Sequence, residues 1–345
     1  MSDFAMRLLD WHDVHGRKDL PWQHPRTPYR VWISEVMLQQ TQVATVIGYF
    51  DRFVAAFPSV AALATASEDA VLALWSGLGY YSRARNAQRA AQLVVARHGG
   101  ELPRDLDALH ALPGIGRSTA AAILAQAHDE PHAILDGNAK RVLARHAGID
   151  GEIESNATLA TLWKEAEARL PRARSADYTQ AIMDLGATVC VRMPRCDTCP
   201  VATDCIALRD ARTHELPRRR AKRAVPERST VMLVLRDGDD RILLERRPAT
   251  GIWGGLWSLP ECAHAGDAPE RAERLAGSRP VLAPLPPFAH QFTHFRLQVT
   301  PLAARAVHAG VVRDDERRWL AREEIAALGV PTPVRKLLDR FWSST

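Results

Sequence analysis

The sequence predicts two domains of different class, an all-α one over residues 1–209 and an α+β one over residues 228–345, joined by a basic segment at 210–227. Three features predict this. Apolar residues recur at helical spacing through the first part, with Gly and Pro between the runs. The stretch Pro217-Arg218-Arg219-Arg220-Ala221-Lys222-Arg223 then carries no periodicity and reads as a linker. Beyond it, Thr230–Leu235 and Arg241–Glu245 flank Asp237-Gly238-Asp239-Asp240, a β-hairpin signal.

In chain order, Phe4, Leu8, Leu9 and Trp11 mark one amphipathic helix, and Val31, Ile33, Val36, Met37, Leu38 and Val43 mark another. Ala61–Trp75, Arg83–Arg97, Ser118–Ala127, Ala139–His146 and Leu159–Leu170 continue at helical spacing, with Ala-rich faces that permit close packing. In the second part, Cys262–Pro287 reads as loop with a short helix around Arg271–Leu275. His294–Val299 alternates like a strand, and Arg322–Leu328 and Val334–Phe341 read as helices. A chain of 345 residues accommodates two or three cores.

The net charge of +5 suits a polyanionic partner. No apolar run is long enough to span a membrane, and Met1-Ser2-Asp3-Phe4 is unlike a signal peptide, so the expected compartment is the cytoplasm, at the nucleoid if the chain binds DNA. Of five cysteines, four crowd into Cys190–Cys205, which in a reducing compartment reads as a metal site.

Four constellations carry chemistry. Leu112-Pro113-Gly114-Ile115-Gly116-Arg117-Ser118-Thr119 makes a tight turn into a helix N-terminus, and with a short helix at Leu106–Ala111 it completes a helix-hairpin-helix, a grip on a nucleic-acid backbone. An ordinary Gly-rich helix start reads the same way. Asp136, in Leu135-Asp136-Gly137-Asn138, caps the next helix and also suits stabilisation of a cation on a sugar. Glu35 sits among apolar residues, where burial raises a carboxyl pKa toward neutrality, although a lone helical Glu is commonly a surface residue. The uncharged run Gln39-Gln40-Thr41-Gln42 suits insertion into a base stack. Finally, Cys190, Cys196, Cys199 and Cys205 lie closer together than zinc-ribbon ligand pairs, which favours one [4Fe–4S] cluster. Arg192 and Arg195, in the first inter-cysteine loop, are placed to meet phosphates.

With these together the chain resembles the endonuclease III (helix-hairpin-helix) superfamily and, within it, the adenine DNA glycosylase family. Ser34–Thr41, Trp75–Tyr81, Leu112–Thr119, Leu135–Arg141 and the cysteine quartet carry the resemblance. It implies a catalytic acid at Glu35, an essential carboxylate at Asp136 and a companion at Asn138. Relatives that also cleave the strand have a lysine where this chain has Ser118; without an amine no Schiff base forms there, which implies a monofunctional enzyme. The first cysteine spacing is one residue shorter than is usual in the family. The C-terminal part resembles a Nudix-like domain that recognises 8-oxoguanine, through Gly251–Trp257 and Phe292-Thr293-His294-Phe295. Only Glu261 and a loop are expected after Pro260, so the domain is expected to recognise rather than hydrolyse. Trp253 and Trp257 are assigned to its core.

The resemblance thus implies a monomer acting on adenine opposite 8-oxoguanine or guanine in duplex DNA. Gln40 is the candidate wedge, supported by Gln39 and Thr41, while Leu78 and Tyr80 act around the opposite base. Trp22, Leu38 and Gln180 line the adenine pocket; Gly114, Gly116, Arg117, Ser118 and Thr119 hold the backbone. The competing readings are a bifunctional glycosylase, a non-catalytic DNA-binding module and a nucleotide pyrophosphohydrolase.

Overall fold

The computed structural model describes residues 2–218, 225–306 and 316–343. The middle of the predicted linker, residues 219–224, lies outside the described residues. Contacts divide the chain into two compact units, Met1–Thr65 with Asn86–Lys222, and Ala66–Arg85 with Arg223–Thr345.

Helix α1 (Asp3–His15) starts where the Ser2 side chain accepts the Ala5 N–H at 3.3 Å. Helix α2 (Pro28–Leu38) has Thr27 as its cap and Pro at its first position. It ends because Gln40 takes a φ of +57°, and α3 (Val43–Ala56) starts afresh. Val43, grouped above with the α2 residues, therefore belongs to the next helix. The expected single helix over Ala61–Trp75 is likewise two, α4 (Val60–Thr65) and α5 (Glu68–Trp75), because Ser67 caps α5 by accepting the Ala70 N–H at 3.2 Å.

There follow α6 (Ser82–His98), α7 (Leu106–His110), α8 (Arg117–His128), α9 (Gly137–His146), α10 (Asn156–Arg169), α11 (Ser175–Thr188) and α12 (Ile206–Arg209). No individual helix is expected from sequence over α11, because its buried side includes Ser175, Thr179, Gln180 and Asp184, which blur the apolar period. The core of this unit joins Leu8 and Leu9 of α1, Leu143 of α9, Leu162 of α10 and Leu185 of α11. Among the described residues no helix is long and apolar enough to cross a membrane.

The other unit is built on a mixed sheet: β1 (Glu227–Arg236), β2 (Ile242–Arg246), β3 (Trp257–Ser258), β4 (Glu261–Cys262), β5 (Ala283–Pro284), β6 (Phe288–Gln291), β7 (Arg296–Arg305) and β8 (Arg317–Leu320). Its main path runs β3-β2-β1-β7-β5, with β4 on β1, β6 on β7 and β8 on β2. Strands β1 and β7 pair in parallel from Glu227↔Arg296 to Arg236↔Arg305, whereas β1 and β2 form the antiparallel hairpin that the sequence predicts. The strand expected at His294–Val299 starts at Arg296 instead, and His294 stays in the β6–β7 turn.

Between β4 and β5 the chain forms α13 (Ala268–Ala276), longer than the short helix expected around Arg271–Leu275. Pro269 in its first turn and Gly277 in a left-handed cap fix its ends, and Ala268, Ala272 and Leu275 bury its apolar side. The expectation of only Glu261 and a loop after Pro260 is corrected accordingly. The α13 carboxylates Glu270 and Glu273 are exposed. Helices α14 (Arg322–Ala326) and α15 (Thr332–Ser343) close the unit.

Candidate active site and lesion pocket

A cavity of about 850 Å³ opens in the helical unit. Glu35 and Leu38 reach it from α2, and Gln39, Gln40 and Thr41 from the turn that follows. Ser118 and Thr119 reach it from the first turn of α8, Asp136 and Asn138 from the start of α9, and Gln180 from α11. Trp22 completes the wall. Residues far apart in sequence thus meet in one place.

The two carboxylates differ in surroundings. Glu35 keeps some exposure only through the cavity, and burial pushes its pKa up to about 7, with the Asp136 charge adding to the rise. One donor opposes this: Gln126 Nε2–H donates to Glu35 Oε1 at 3.2 Å. Burial also raises Asp136, but there the Ala139 N–H donates to Oδ1 at 2.7 Å, further donation comes from Asn138, and the Arg141 guanidinium lies nearby. Asp136 is therefore the better placed to hold charge, and Glu35 to hold a proton.

Second partners fix this geometry. Ser118 Oγ accepts the Leu135 N–H at 3.0 Å and so ties the hairpin helix to the Asp136 loop. Arg141 donates to Asn138 Oδ1 at 2.9 Å and to the Cys190 carbonyl at 2.7 Å. Buried Asp184 accepts from the Arg17 backbone N–H at 2.7 Å, from Arg17 Nε at 2.8 Å and from Gln180 Nε2 at 2.8 Å. Gln126, Asp184 and Arg17 of this shell were missed by sequence reasoning. The only signal for Gln126 was an amide inside the Ala-rich run of α8.

Gly186 on α11 allows the start of α9 to approach. A Cβ there would meet Asn138 Cβ at 2.5 Å and its Cα at 2.9 Å. Gly186→Ala is expected to displace the Asp136–Asn138 segment and lower base release about a hundredfold while the helical circular dichroism persists, since small misplacements of reacting groups cost that much. A single-turnover rate within twofold of wild type would remove Gly186 from this role.

The hairpin turn between α7 and α8 places Gly114 at φ +78° and Gly116 as the α8 cap. Arg117 is less available than expected, since its Nη2 pairs with Glu167 at 2.6 Å and its guanidinium stacks 3.9 Å from the Trp163 ring centre.

Cys190, Cys196, Cys199 and Cys205 line a second, smaller cavity and form no disulfide. Burial pushes the Cys199 thiol up to about 11, and the other three thiols add to that rise. Arg145 donates to Cys190 Sγ at 3.4 Å, to the Val191 carbonyl at 2.6 Å and to the Arg192 carbonyl at 3.1 Å. Helix α9 thus holds the cysteine loop at one side and Asp136 at its N-terminus. Among the described residues no three His, Cys, Asp or Glu side chains are placed to hold a single metal ion. Arg192 and Arg195 are exposed, as a phosphate contact requires.

In the other unit, a cavity of about 670 Å³ is lined by Leu78, Tyr80, Trp253, Phe292, Thr293 and His294 among others. The Phe292 ring stacks on Phe295 at 4.5 Å and lies 5.3 Å from Trp253. The Tyr80 hydroxyl hydrogen-bonds with Thr293 Oγ1. Trp257 is fully buried, as assigned, whereas Trp253 is buried and also lines this cavity. Leu78 is buried and Tyr80 exposed.

A carboxylate pair beside a helix-hairpin-helix defines a class of base-excision repair protein, and residues 33–168 match the HhH-GPD superfamily of base excision DNA repair proteins. Residues 231–340 match the NUDIX domain family. The chain belongs to the adenine DNA glycosylase family. It is 34% identical to the adenine DNA glycosylase of Buchnera aphidicola subsp. Acyrthosiphon pisum, over 98% of this chain and 97% of that protein. It is 34% identical to that of Mus musculus, over 99% of this chain and 78% of the mouse protein. Among solved structures, a thermostable thymine-DNA glycosylase superposes with a TM-score of 0.55 at 28% identity, covering 60% of this chain and 95% of that one. An endonuclease III–DNA complex superposes at 0.52 with 21% identity over 60% and 94%, which shows the fold alone.

Proposed function

We propose that this chain hydrolyses the N-glycosidic bond of adenine mispaired with 8-oxoguanine or guanine in duplex DNA, without strand cleavage. The observation that carries the reading is the cavity shared by a Glu35 held near neutrality and an Asp136 surrounded by donors. Residues 1–209 would form the glycosylase domain, 210–227 the linker and 228–345 the lesion-recognition domain, in a cytoplasmic monomer.

Adenine leaves the stack at a cost of a few kcal/mol, less at a mispair. Gln40, held at a positive φ beside the cavity, enters the gap. Trp22, Leu38 and Gln180 receive the base, and Glu35 protonates N7. As C1′ gains positive character, the Asp136 carboxylate stabilises it, and Asn138 holds the approach of α9. Water then adds at C1′ and gives up its proton to the Glu35 carboxylate, leaving free adenine and an abasic site. Gly114, Gly116, Arg117, Thr119, Arg192 and Arg195 hold the backbone, and Ser118 offers no amine for a lyase step.

The quartet fits one [4Fe–4S] cluster: four thiols outside any disulfide line one cavity, with the Arg145 guanidinium donating to Cys190 Sγ. Cys190, Cys196, Cys199 and Cys205 would hold it. When bound it supplies cross-links that close the loop carrying Arg192 and Arg195.

The opposite base is assigned to Phe292, Thr293 and His294, with Leu78, Tyr80 and Trp253. Phe292→Ala should lower single-turnover release about tenfold or more opposite 8-oxoguanine and opposite guanine alike, given the worth of one base–aromatic stack, which either base can make. Release near wild type on both duplexes would place Phe292 outside contact with the opposite base. The reading as a whole is tested by incubating the protein with an adenine:8-oxoguanine duplex. Free adenine with strand breaks only after alkali is expected; breaks without alkali would contradict it.

A further inference from the structure

The amide of Gln126 enters the active-site carboxyl from behind. Gln126 lies on α8, is buried, and does not line the cavity itself. Its Nε2–H donates to Glu35 Oε1 at 3.2 Å. Its other end, Oε1, is buried with no hydrogen-bond partner among the described residues. A carboxyl oxygen that accepts an N–H is a poor place for a proton, so the bond sorts the two oxygens of Glu35 by role.

We propose that Gln126 is a positioning residue for the acid: its N–H holds Glu35 Oε1 as an acceptor and leaves the transferable proton to Oε2. The inference rests on the reading of Glu35 as the acid. The same bond stabilises the ionised carboxyl, so it opposes the rise caused by burial. The charged groups around Glu35 are few. Asp136, Arg17, Lys140 and Glu154 share its cavity, α8 brings Arg117 and His128, and α3 brings Asp51 and Arg52. Among the described residues, Asp136 bears on Glu35 and acts with burial, whereas Gln126 pulls the other way.

The sign follows. Base release needs the protonated acid, so the rate falls as pH rises through the Glu35 pKa. Without the Gln126 N–H, that pKa moves up and the fall comes later. Single-turnover adenine release is measured against pH for wild type, Gln126→Leu, Gln126→Glu and Glu35→Gln. Gln126→Leu should move the alkaline limb up by about half a pH unit or more and lower the plateau, as expected for one hydrogen bond to a carboxyl. Gln126→Glu, which sets a second carboxyl against the first, should move it further. Limbs that overlay wild type in whichever variant folds, with Glu35→Gln inactive, overturn the role of Gln126 alone. Normal release by Glu35→Gln overturns the acid assignment and this inference with it.

Discussion

Glu35→Gln and Asp136→Asn should each lower single-turnover adenine release at least about a thousandfold while duplex binding stays measurable, in line with the worth of positioned acid–base groups. Neither substitution touches the hairpin or the cysteine loop, so binding and chemistry separate. Glu35→Gln should also change stability. The Glu35 pKa rises from 4.5 to about 7 on folding, so the native state is favoured most below the unfolded value and loses that advantage as pH climbs through the folded one. Removing the ionisable group removes that loss. Glu35→Gln should therefore unfold at a higher temperature than wild type at pH 8, by an effect of up to roughly 3 kcal/mol, with the gap closing near pH 5. A gap independent of pH would show that Glu35 is not the strained acid.

Cys199→Ser is the second large effect. Cys199 is the thiol whose pKa all three others raise, which puts it in reach of each. Where a bound metal group and the fold are linked, losing a ligand removes folding free energy. The variant is expected to lose iron and acid-labile sulfide together, to bind duplex DNA at least about tenfold more weakly, and to expose the 190–205 segment to protease. Helical circular dichroism should largely persist, because Leu8, Leu143, Leu162 and Leu185 come from helices outside the loop, and Cys199 is only partly buried against the core they form. Full iron content with normal binding would show that the quartet does not act as one site.

Much of this was legible because the local physics was strong. The α9 run has a clear apolar period, α8 is an Ala-rich run buried from Thr119 to Gln126, and the hairpin glycines and Asp136 cap announce their helix starts. The Glu35 environment followed from its apolar neighbours. What failed were boundaries set by single residues, the positive φ of Gln40 and the Ser67 cap, each of which split an apolar run into two helices. The α11 helix and the bonds of Gln126, Asp184 and Arg141 depend on packing between distant segments, which no local pattern encodes. Likewise, Trp253 looked like core filling because sequence does not say that a buried ring can also wall a cavity.

The central claim is that the chain removes adenine according to the base opposite. Single-turnover release on duplexes with adenine opposite 8-oxoguanine, guanine, cytosine and thymine measures it directly. The account predicts that 8-oxoguanine is fastest, guanine next, and the other two far behind. Preference for cytosine or thymine would contradict it.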